Sequence, residues 1–161
     1  LQEWSEARSL DWYLLDEPEH KDMQEYVKKL LHLYKEYPAL YTETKGYGAF
    51  EWINANDCER SIFSFIRKTT EADYKHSIGF VCNFTPMERP DYVVGVPKAG
   101  TYKRLVTTET GEKQVVSYRA KKGECDGRPY RLEIPLRPYE SVVFEFPKTR
   151  KKKATPKKKT K

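Results

Sequence analysis

The sequence predicts a mainly β protein, in which one amphipathic helix precedes an antiparallel β-sandwich and a basic tail follows it. Three observations predict this order: helical periodicity is confined to one stretch near the start, short apolar segments follow from residue 50 onward, and a lysine-rich run closes the chain. Helices repeat their apolar residues every three or four positions, whereas strands appear as short apolar runs between turn residues. We therefore expect structured parts at residues 1–41 and 42–147 and a disordered tail at 148–161.

The helix is expected over Glu19–Tyr37. Asp16 and Glu19 have the spacing of a capping box, and Pro38 is expected to end the helix. A lone helix cannot bury a wide apolar stripe by itself, so we expect it to pack on the sandwich or on another molecule and otherwise to stay partly exposed. The stripe consists of Met23, Tyr26, Val27, Leu30, Leu31, Tyr34 and Tyr37.

Eight short strands are expected after the helix, and their spacing predicts a sandwich. In Tyr130–Leu136 apolar and polar residues alternate, so one face of that strand should be wet. Ser61–Arg67 is apolar on both faces, so it should be central and covered on both sides. The eight segments are Phe50–Ile53, Ser61–Arg67, Ser77–Phe84, Tyr92–Val96, Thr101–Val106, Val115–Tyr118, Tyr130–Leu136 and Ser141–Phe146.

The positive charge belongs to the tail. The formal net charge is +6, but the closing segment KTRKKKATPKKKTK holds nine Lys and Arg residues and no acid, so residues 1–147 carry a net charge of −3. Like charges in a block repel one another and stay solvated. We expect a disordered terminus, with loose, non-specific contact to RNA or other polyanions as the alternative.

Composition favours a cytoplasmic protein without a metal, a cofactor or a membrane span. No run of about 18 apolar residues is present. The three cysteines, Cys58, Cys82 and Cys125, are odd in number and lack a CxxC spacing, so we expect reduced thiols rather than a disulfide frame. The histidines are too scattered for a zinc signature; they are His20, His32 and His76.

The segment before the helix has the composition of a sugar-binding loop. Trp4, Trp12 and Tyr13 lie close in sequence to Asp11 and Asp16. Aromatic faces stack on sugar C–H groups, carboxylates accept hydrogen bonds from hydroxyl groups, and glycoside chemistry uses paired carboxylates. The alternative is structural, with Asp16 capping the helix and Trp12 packing. No nucleophile elbow, phosphate-binding glycine loop or Cys–His pair can be assigned from the spacing.

A series of short motifs along residues 3–146 carries a family resemblance. The first group is Glu3-Trp4, Ser9-Leu10-Asp11-Trp12, Leu14-Leu15-Asp16, Leu33-Tyr34-Lys35-Glu36 and Pro38-Ala39-Leu40. The second group is Phe50-Glu51-Trp52-Ile53, Ser64-Phe65-Ile66-Arg67, Cys82-Asn83-Phe84-Thr85-Pro86, Gly95-Val96-Pro97, Gly100-Thr101-Tyr102 and Gly127-Arg128-Pro129-Tyr130. In order and approximate spacing, the first group resembles the end of the catalytic barrel of bacterial 1,4-α-glucan (glycogen) branching enzymes of the α-amylase superfamily. The second resembles the C-terminal β domain of the same family.

The resemblance implies a Greek-key sandwich preceded by the last loop and helix of a (β/α)8 barrel. It also implies a glycosyltransferase of glycogen biosynthesis that cleaves an α-1,4 glucan, glycogen or amylose, and passes the chain to a sugar 6-hydroxyl. In that family the three catalytic carboxylates lie upstream of the Glu3-Trp4 motif, so we assign no catalytic residue and expect this chain alone to be inactive without the missing barrel. Trp4, Asp11 and Trp12 are expected to line or brace the rim of the sugar cleft.

An alternative is a stand-alone glucan-binding or interaction module, produced by a split or truncated gene. In that case exposed aromatic rings such as Tyr92, Tyr102 or Tyr118 would bind the glucan. A third hypothesis is that the basic tail tethers the protein to nucleic acid.

Overall fold

Two antiparallel sheets pack face to face, and one helix lies against the outer side of the larger sheet. The computed structural model describes residues 5–42, 47–69, 74, 76–108 and 114–148. A 3₁₀ turn (Trp12–Asp16) leads into the helix α1 (Pro18–Glu36), and further 3₁₀ turns follow at Pro38–Leu40 and Tyr47–Ala49. The strands in these residues are β1 (Phe50–Asp57), β2 (Ile62–Arg67), β3 (Ile78–Asn83), β4 (Val93–Val96), β5 (Thr101–Thr107), β6 (Ser117–Arg119), β7 (Lys121–Cys125), β8 (Arg128–Glu133) and β9 (Ser141–Glu145).

The larger sheet has the strand order β1-β2-β3-β9-β5-β6, and the smaller one has the order β4-β8-β7. The final strand therefore lies between β3 and β5, and every strand pair is antiparallel. Side chains from both inner faces meet in one core, which includes Ile62, Ile66 and Val81 from the larger sheet and Val94 and Leu132 from the smaller one. The predicted mainly β sandwich is confirmed.

Gly79 allows an aromatic ring to lie deep in this core. It pairs with Phe144 across β3 and β9, and the Phe144 side chain is fully buried. A Cβ atom at position 79 would overlap the ring of Phe144. The ring in turn packs edge-on against Tyr102, with their centroids 5.7 Å apart. The space left by the missing side chain of Gly79 is therefore filled by its partner residue.

One side of α1 and the residues at its end dock on the outer face of the larger sheet. Tyr37 and Ala39, at and just after the helix end, form a buried cluster with Ile78, Val106 and Val143. Tyr26, Leu33, Leu40, Phe80 and Leu105 pack around this cluster. The expectation that the helix packs on the sandwich is therefore confirmed for the side of α1 that carries Tyr26 and Leu33.

The start of α1 differs from the sequence prediction. The helix begins at Pro18, where a proline is tolerated because the first turn needs no N–H donor. Its N-cap is Glu17 with no side-chain capping bond, so the predicted capping box of Asp16 and Glu19 is wrong. The helix ends at Glu36 with Pro38 two residues later, as expected.

Three strand predictions need correction. β7 was absent from the prediction, because its residues are polar and it lies at a sheet edge. The segment Val115–Tyr118 is a strand only from Ser117 onward. β2 is interior in its sheet, but it is not covered on both sides, since Phe63 is exposed. The predicted wet face of the last but one strand is confirmed, with Leu132 and Ile134 buried between exposed neighbours.

Several sequence predictions fall outside the described residues. They concern Trp4 and the lysine-rich tail beyond Lys148. Among the helical residues that are described, no stretch combines the length and hydropathy needed to cross a bilayer.

Candidate functional site

The predicted sugar-binding segment is a surface turn directly before α1. Trp12 opens the 3₁₀ turn and is 61% exposed, and Asp11 lies immediately before it. The carbonyl oxygen of Asp11 accepts a hydrogen bond from the N–H of Leu14 (3.0 Å), while the side chain makes no capping bond. The exposed indole of Trp12 is suited to stacking on a sugar ring, and the neighbouring carboxylate of Asp11 is suited to accepting hydrogen bonds from sugar hydroxyls.

One side of α1 is also exposed along its length. Met23, Val27, Leu30, Leu31 and Tyr34 are large apolar side chains that all remain exposed. They belong to the predicted stripe, of which Tyr37 is buried and Tyr26 is half-buried against the same cluster. Exposed apolar side chains in a continuous group mark an interaction surface. The structure therefore bears out the expectation that this helix is only partly covered.

Two hydrogen bonds fix the helix end to the sandwich. The Tyr37 hydroxyl donates to Glu145 Oε2 at 2.7 Å, and Arg67 Nε donates to the carbonyl oxygen of Ala39 at 3.1 Å. Burial, reinforced by the hydrogen bond to Glu145 and the charge of that carboxylate, raises the pKa of Tyr37. These contacts hold α1, and with it the turn carrying Asp11 and Trp12, in a defined position on the sheet.

A charged cluster around Glu51 lies at the edge where the two sheets meet. Its Oε2 accepts hydrogen bonds from Lys68 Nζ (2.8 Å) and Tyr74 Oη (3.0 Å). Its Oε1 accepts one from Arg128 of β8. Burial alone raises the pKa of Glu51, but the bonds from Lys68, Arg128 and Tyr74 outweigh it and leave the pKa below its ordinary value.

This cluster is suited to holding the sheets together rather than to proton transfer. A general acid in glycoside chemistry needs a raised pKa, and a nucleophile needs an accessible oxygen. Both oxygens of Glu51 are already bonded by protein donors. The cluster joins β1 to β8. Nearby, Asp126 in the turn between β7 and β8 links β1 and β4 by accepting bonds from Asn54 Nδ2 (3.0 Å) and the N–H of Gly95 (2.8 Å).

A shallow cleft of about 900 Å³ opens at one end of the sandwich. Its volume is within the usual range for small-molecule sites. Among the polar side chains around it are those of Lys98, Arg119 and Lys148, and Tyr130 contributes a half-buried ring. This lining contains cations but no exposed aromatic platform for a sugar face.

The tyrosines proposed for direct glucan binding are not exposed. Tyr92, Tyr102 and Tyr118 are all buried on the inner faces of the sheets. Tyr102 donates its hydroxyl hydrogen bond to the carbonyl oxygen of Lys98 (2.8 Å). All three rings pack in the core between the sheets, so that prediction is wrong. Among the described side chains of the sandwich, the exposed rings are those of Trp52, Phe63, Phe84 and Tyr139, which sequence reasoning missed.

Within the part of the chain that the structure describes, no three His, Cys, Asp or Glu side chains are grouped as a metal site. Cys58, Cys82 and Cys125 are free thiols. Before α1, the described residues therefore include groups of the kind that bind sugars. Within the sandwich, they include charge pairs that hold the structure together.

Comparison with known proteins agrees with this architecture. A family model described as "Alpha amylase, C-terminal all-beta domain" matches residues 52–147. The chain is 45% identical over 150 residues to a 1,4-alpha-glucan branching enzyme of Butyrivibrio fibrisolvens, covering 89% of this chain and 23% of that protein. It is 37% identical over 150 residues to the enzymes of that name from Synechococcus elongatus and Aquifex aeolicus, again over 89% of this chain and over 19% and 23% of those proteins. The chain thus spans about a fifth to a quarter of the length of these relatives.

Proposed function

Because the chain belongs to the α-amylase C-terminal all-β domain family, we propose that it is the C-terminal portion of a 1,4-α-glucan branching enzyme. The observation that carries this proposal is the extent of the similarity to proteins of that name. The similarity covers 89% of the chain, which is more than residues 52–147 contain. It therefore extends to most of the residues before the sandwich, where Asp11, Trp12 and α1 lie.

The proposed reaction is a two-step transfer. An α-1,4 glucan is cleaved onto an enzyme carboxylate, and the released chain is passed to a sugar 6-hydroxyl, which creates an α-1,6 branch. The catalytic carboxylates belong to the preceding barrel, whose site is assembled from the ends of several strands. The hydrogen bonds that occupy both carboxylate oxygens of Glu51 support a structural role for its cluster. The chain alone is therefore inactive.

Within that enzyme, residues 1–41 form the end of the barrel and residues 42–147 form the C-terminal sandwich. Trp4, Asp11 and Trp12 line or brace the rim of the glucan cleft, where the exposure of Trp12 leaves its ring available to a sugar. The three free thiols support a reducing, cytoplasmic location.

The test uses the polypeptide encoded by the complete gene, alongside the present 161 residues alone. Each is incubated with amylose, and iodine colour and the content of α-1,6 linkages are followed. We expect branching by the complete polypeptide and none by the isolated chain. Branching by the isolated chain, or no branching by the complete polypeptide, would overturn the proposal.

Trp12→Ala in the complete polypeptide should raise KM for amylose more than it lowers kcat if the ring contacts substrate.

The alternative, a stand-alone glucan-binding module, predicts retention of the isolated chain on an amylose matrix. The burial of Tyr92, Tyr102 and Tyr118 removes the rings first assigned to this role. Passage through the matrix without delay at low salt would leave the alternative without support.

A further inference from the structure

The cleft of about 900 Å³ at one end of the sandwich gathers positive charge. Lys98, Arg119 and Lys148 line it, and among the described residues of its lining none is an acid. We call it the basic cleft, and its other lining residues are Pro97, Ala99, Gly100, Thr101, Ala120, Tyr130 and Pro147. Since the charged groups of this lining are all cations, the ligand that complements it is an anion.

Contacts between three loop segments fix the walls of the basic cleft. The N–H of Ala120 donates a hydrogen bond to the carbonyl oxygen of Gly100 (2.9 Å), and the Tyr102 hydroxyl donates to the carbonyl oxygen of Lys98 (2.8 Å). Gly100 has a φ of 136°, and a Cβ atom at this position would lie 2.7 Å from the Pro147 ring. The segments before β5, between β6 and β7 and after β9 are therefore packed together around the cleft.

An aromatic contact orients the ammonium group of Lys98. Its Nζ lies 5.5 Å from the centroid of the Tyr74 ring, and that ring stacks on Phe146 with a centroid distance of 5.4 Å. A cation–π contact attracts the ammonium group to the ring face while the lysine keeps its charge. Lys98 thus holds a positive charge in a defined place at the cleft wall.

A half-buried ring lies beside these cations. Tyr130 of β8 lines the cleft and packs against the buried core between the sheets. It is two residues before the fully buried Leu132, so it marks the point at which the core meets the open end of the sandwich. Proteins that bind single-stranded nucleic acid combine these two features, because their cations contact the phosphates and their aromatic rings stack on the bases.

The chain leaves the sandwich at this cleft and continues into its most basic segment. Lys148, which lines the cleft, is the last described residue. Eight of the nine Lys and Arg residues of 148–161 follow it in sequence, and that segment contains no acid. The positive charge of the basic cleft is therefore continued along the chain, as a polyanion with many regularly spaced charges requires.

From this arrangement we propose that the basic cleft, together with the lysine-rich segment that follows it, binds single-stranded nucleic acid. A base stacks on Tyr130, and the phosphates on either side of it contact Lys98, Arg119 and Lys148. The segment 149–161 neutralises further phosphates of the same strand. This site is separate from the turn before α1, and it does not depend on the proposed branching function.

Other polyanions complement this lining less well. A membrane surface does not enter a cleft, and the lining has no exposed apolar side chain that would insert into lipid. The carboxylates of an acidic protein match the cations but bring no base to the ring of Tyr130. A duplex keeps its bases stacked inside, so it offers the cleft only its phosphates. A single strand is the polyanion that uses both the cations and the ring.

Fluorescence anisotropy with a labelled 12-nucleotide oligouridylate tests the proposal. The protein is the product of the complete gene, in 100 mM KCl at pH 7.5, and absence of binding would overturn the proposal. Arg119→Glu should weaken binding at least ten-fold. Lys21→Glu is the matched control, because it changes the net charge equally at an exposed position of α1, and it should weaken binding less than two-fold. Equal effects of the two variants would assign binding to overall charge and overturn the proposal.

Tyr130→Leu tests the ring, since leucine keeps an apolar side chain against the core but removes the stacking surface. It should weaken binding of the oligouridylate at least three-fold and leave binding of inorganic polyphosphate unchanged. Tyr139→Leu, at an exposed ring between β8 and β9, is the matched control and should change neither. Equal losses with both ligands in Tyr130→Leu would mean that the ring only shapes the cleft, and would overturn the proposal.

Salt dependence separates the cleft from the segment that follows it. For single strands, each phosphate contact contributes about 0.7 to the slope of log affinity against log salt concentration. Arg119→Glu and Lys98→Glu should each lower this slope by about that amount, and deletion of residues 149–161 should lower it further. An unchanged slope in both cleft variants would place all binding in the segment and overturn the proposal. Equal affinity for a 12-base-pair duplex, for polyglutamate or for phosphatidylserine vesicles would overturn it as well.

Discussion

The hydroxyl of Tyr37 donates a 2.7 Å hydrogen bond to Oε2 of Glu145, a residue 108 positions further along the chain. Tyr37 is the C-cap residue of α1, and Glu145 is the last residue of β9. The Tyr37 ring is buried in the cluster beneath the helix end, with Ile78 and Val143. The pair therefore determines how the segment carrying Asp11 and Trp12 is held on the sandwich.

Tyr37→Phe should weaken this attachment. The change removes the hydroxyl but keeps the ring, so a partly buried carboxylate loses a donor while the packing remains. We expect the free energy of unfolding to fall by about 1.5–3 kcal/mol at pH 7, the usual range for a hydrogen bond to a charged group. Urea unfolding followed by circular dichroism measures it.

Tyr34→Phe is the matched control on the same helix, because Tyr34 is exposed. It should change the free energy of unfolding by less than about 0.5 kcal/mol. Equal effects of the two substitutions would show that the bond to Glu145 contributes no stability of its own.

Glu51→Gln should destabilise the sandwich at neutral pH. The substitution removes the negative charge that Lys68 and Arg128 contact, and leaves those two cations close together at a partly buried site. We expect a loss of about 1–3 kcal/mol in the free energy of unfolding. Glu124→Gln, at an exposed position of β7, is the control and should have little effect.

The effect of Glu51→Gln should also depend on pH. Since the folded state lowers the pKa of Glu51, its ionised form stabilises the fold above the ordinary carboxyl pKa, and this stabilisation is lost as the pH falls through the lowered value. The difference in unfolding free energy between wild type and variant should therefore be full at pH 7 and shrink below about pH 4. A difference that stays constant down to pH 3 would contradict the assigned ionisation.

Elements with strong periodicity were predictable from the sequence. The bounds of α1 were expected within one residue, because its apolar spacing and Pro38 are local signals. The alternation of β8 likewise predicted which side of the strand is buried. β7 was missed because its polar composition gives no strand signal, although Asp126-Gly127 was available as a hairpin signal: both residues have positive φ, 49° and 68°, as a two-residue turn of type I′ requires.

The site was less predictable, because exposure depends on which strands become neighbours. The sequence indicated that Trp12 and Asp11 precede the helix, and they do lie together on the surface. It could not distinguish Tyr102, which is buried, from Phe63, which is exposed, since both are aromatic residues within strands. The smaller sheet covers only one side of the larger one, and that layer assignment is a tertiary property.

Gly79→Ala tests the close packing in the core. The added methyl group would meet the ring of Phe144, which is fully buried and cannot move without displacing Tyr102. We expect a loss of about 1–3 kcal/mol in the free energy of unfolding, as is usual for overpacked cores. Thermal unfolding by calorimetry gives the value.

A double-mutant cycle identifies the ring as the cause. Phe144→Leu alone should destabilise the protein by leaving a cavity, but Gly79→Ala should cost less in the Phe144→Leu background than in the wild type. Strict additivity of the two changes would mean that the cost at position 79 comes from the backbone rather than from Phe144.

The three thiols should differ in reactivity according to their burial. Cys58 is exposed in the turn between β1 and β2, whereas burial raises the pKa of Cys82. Burial, together with the charge of Asp126 and the hydrogen bond to it, raises the pKa of Cys125 to about 11. Because the thiolate is the reactive form, a shift of the Cys125 pKa from 9 to about 11 lowers the thiolate population about a hundred-fold.

Iodoacetamide at pH 7.5, with modified peptides counted by mass spectrometry, should therefore label Cys58 at least ten times faster than Cys125. Cys58→Ser should abolish the fast phase and leave the slow one; labelling of Cys125 at the rate of Cys58 in the folded protein would show that the hairpin holding Asp126 opens in solution.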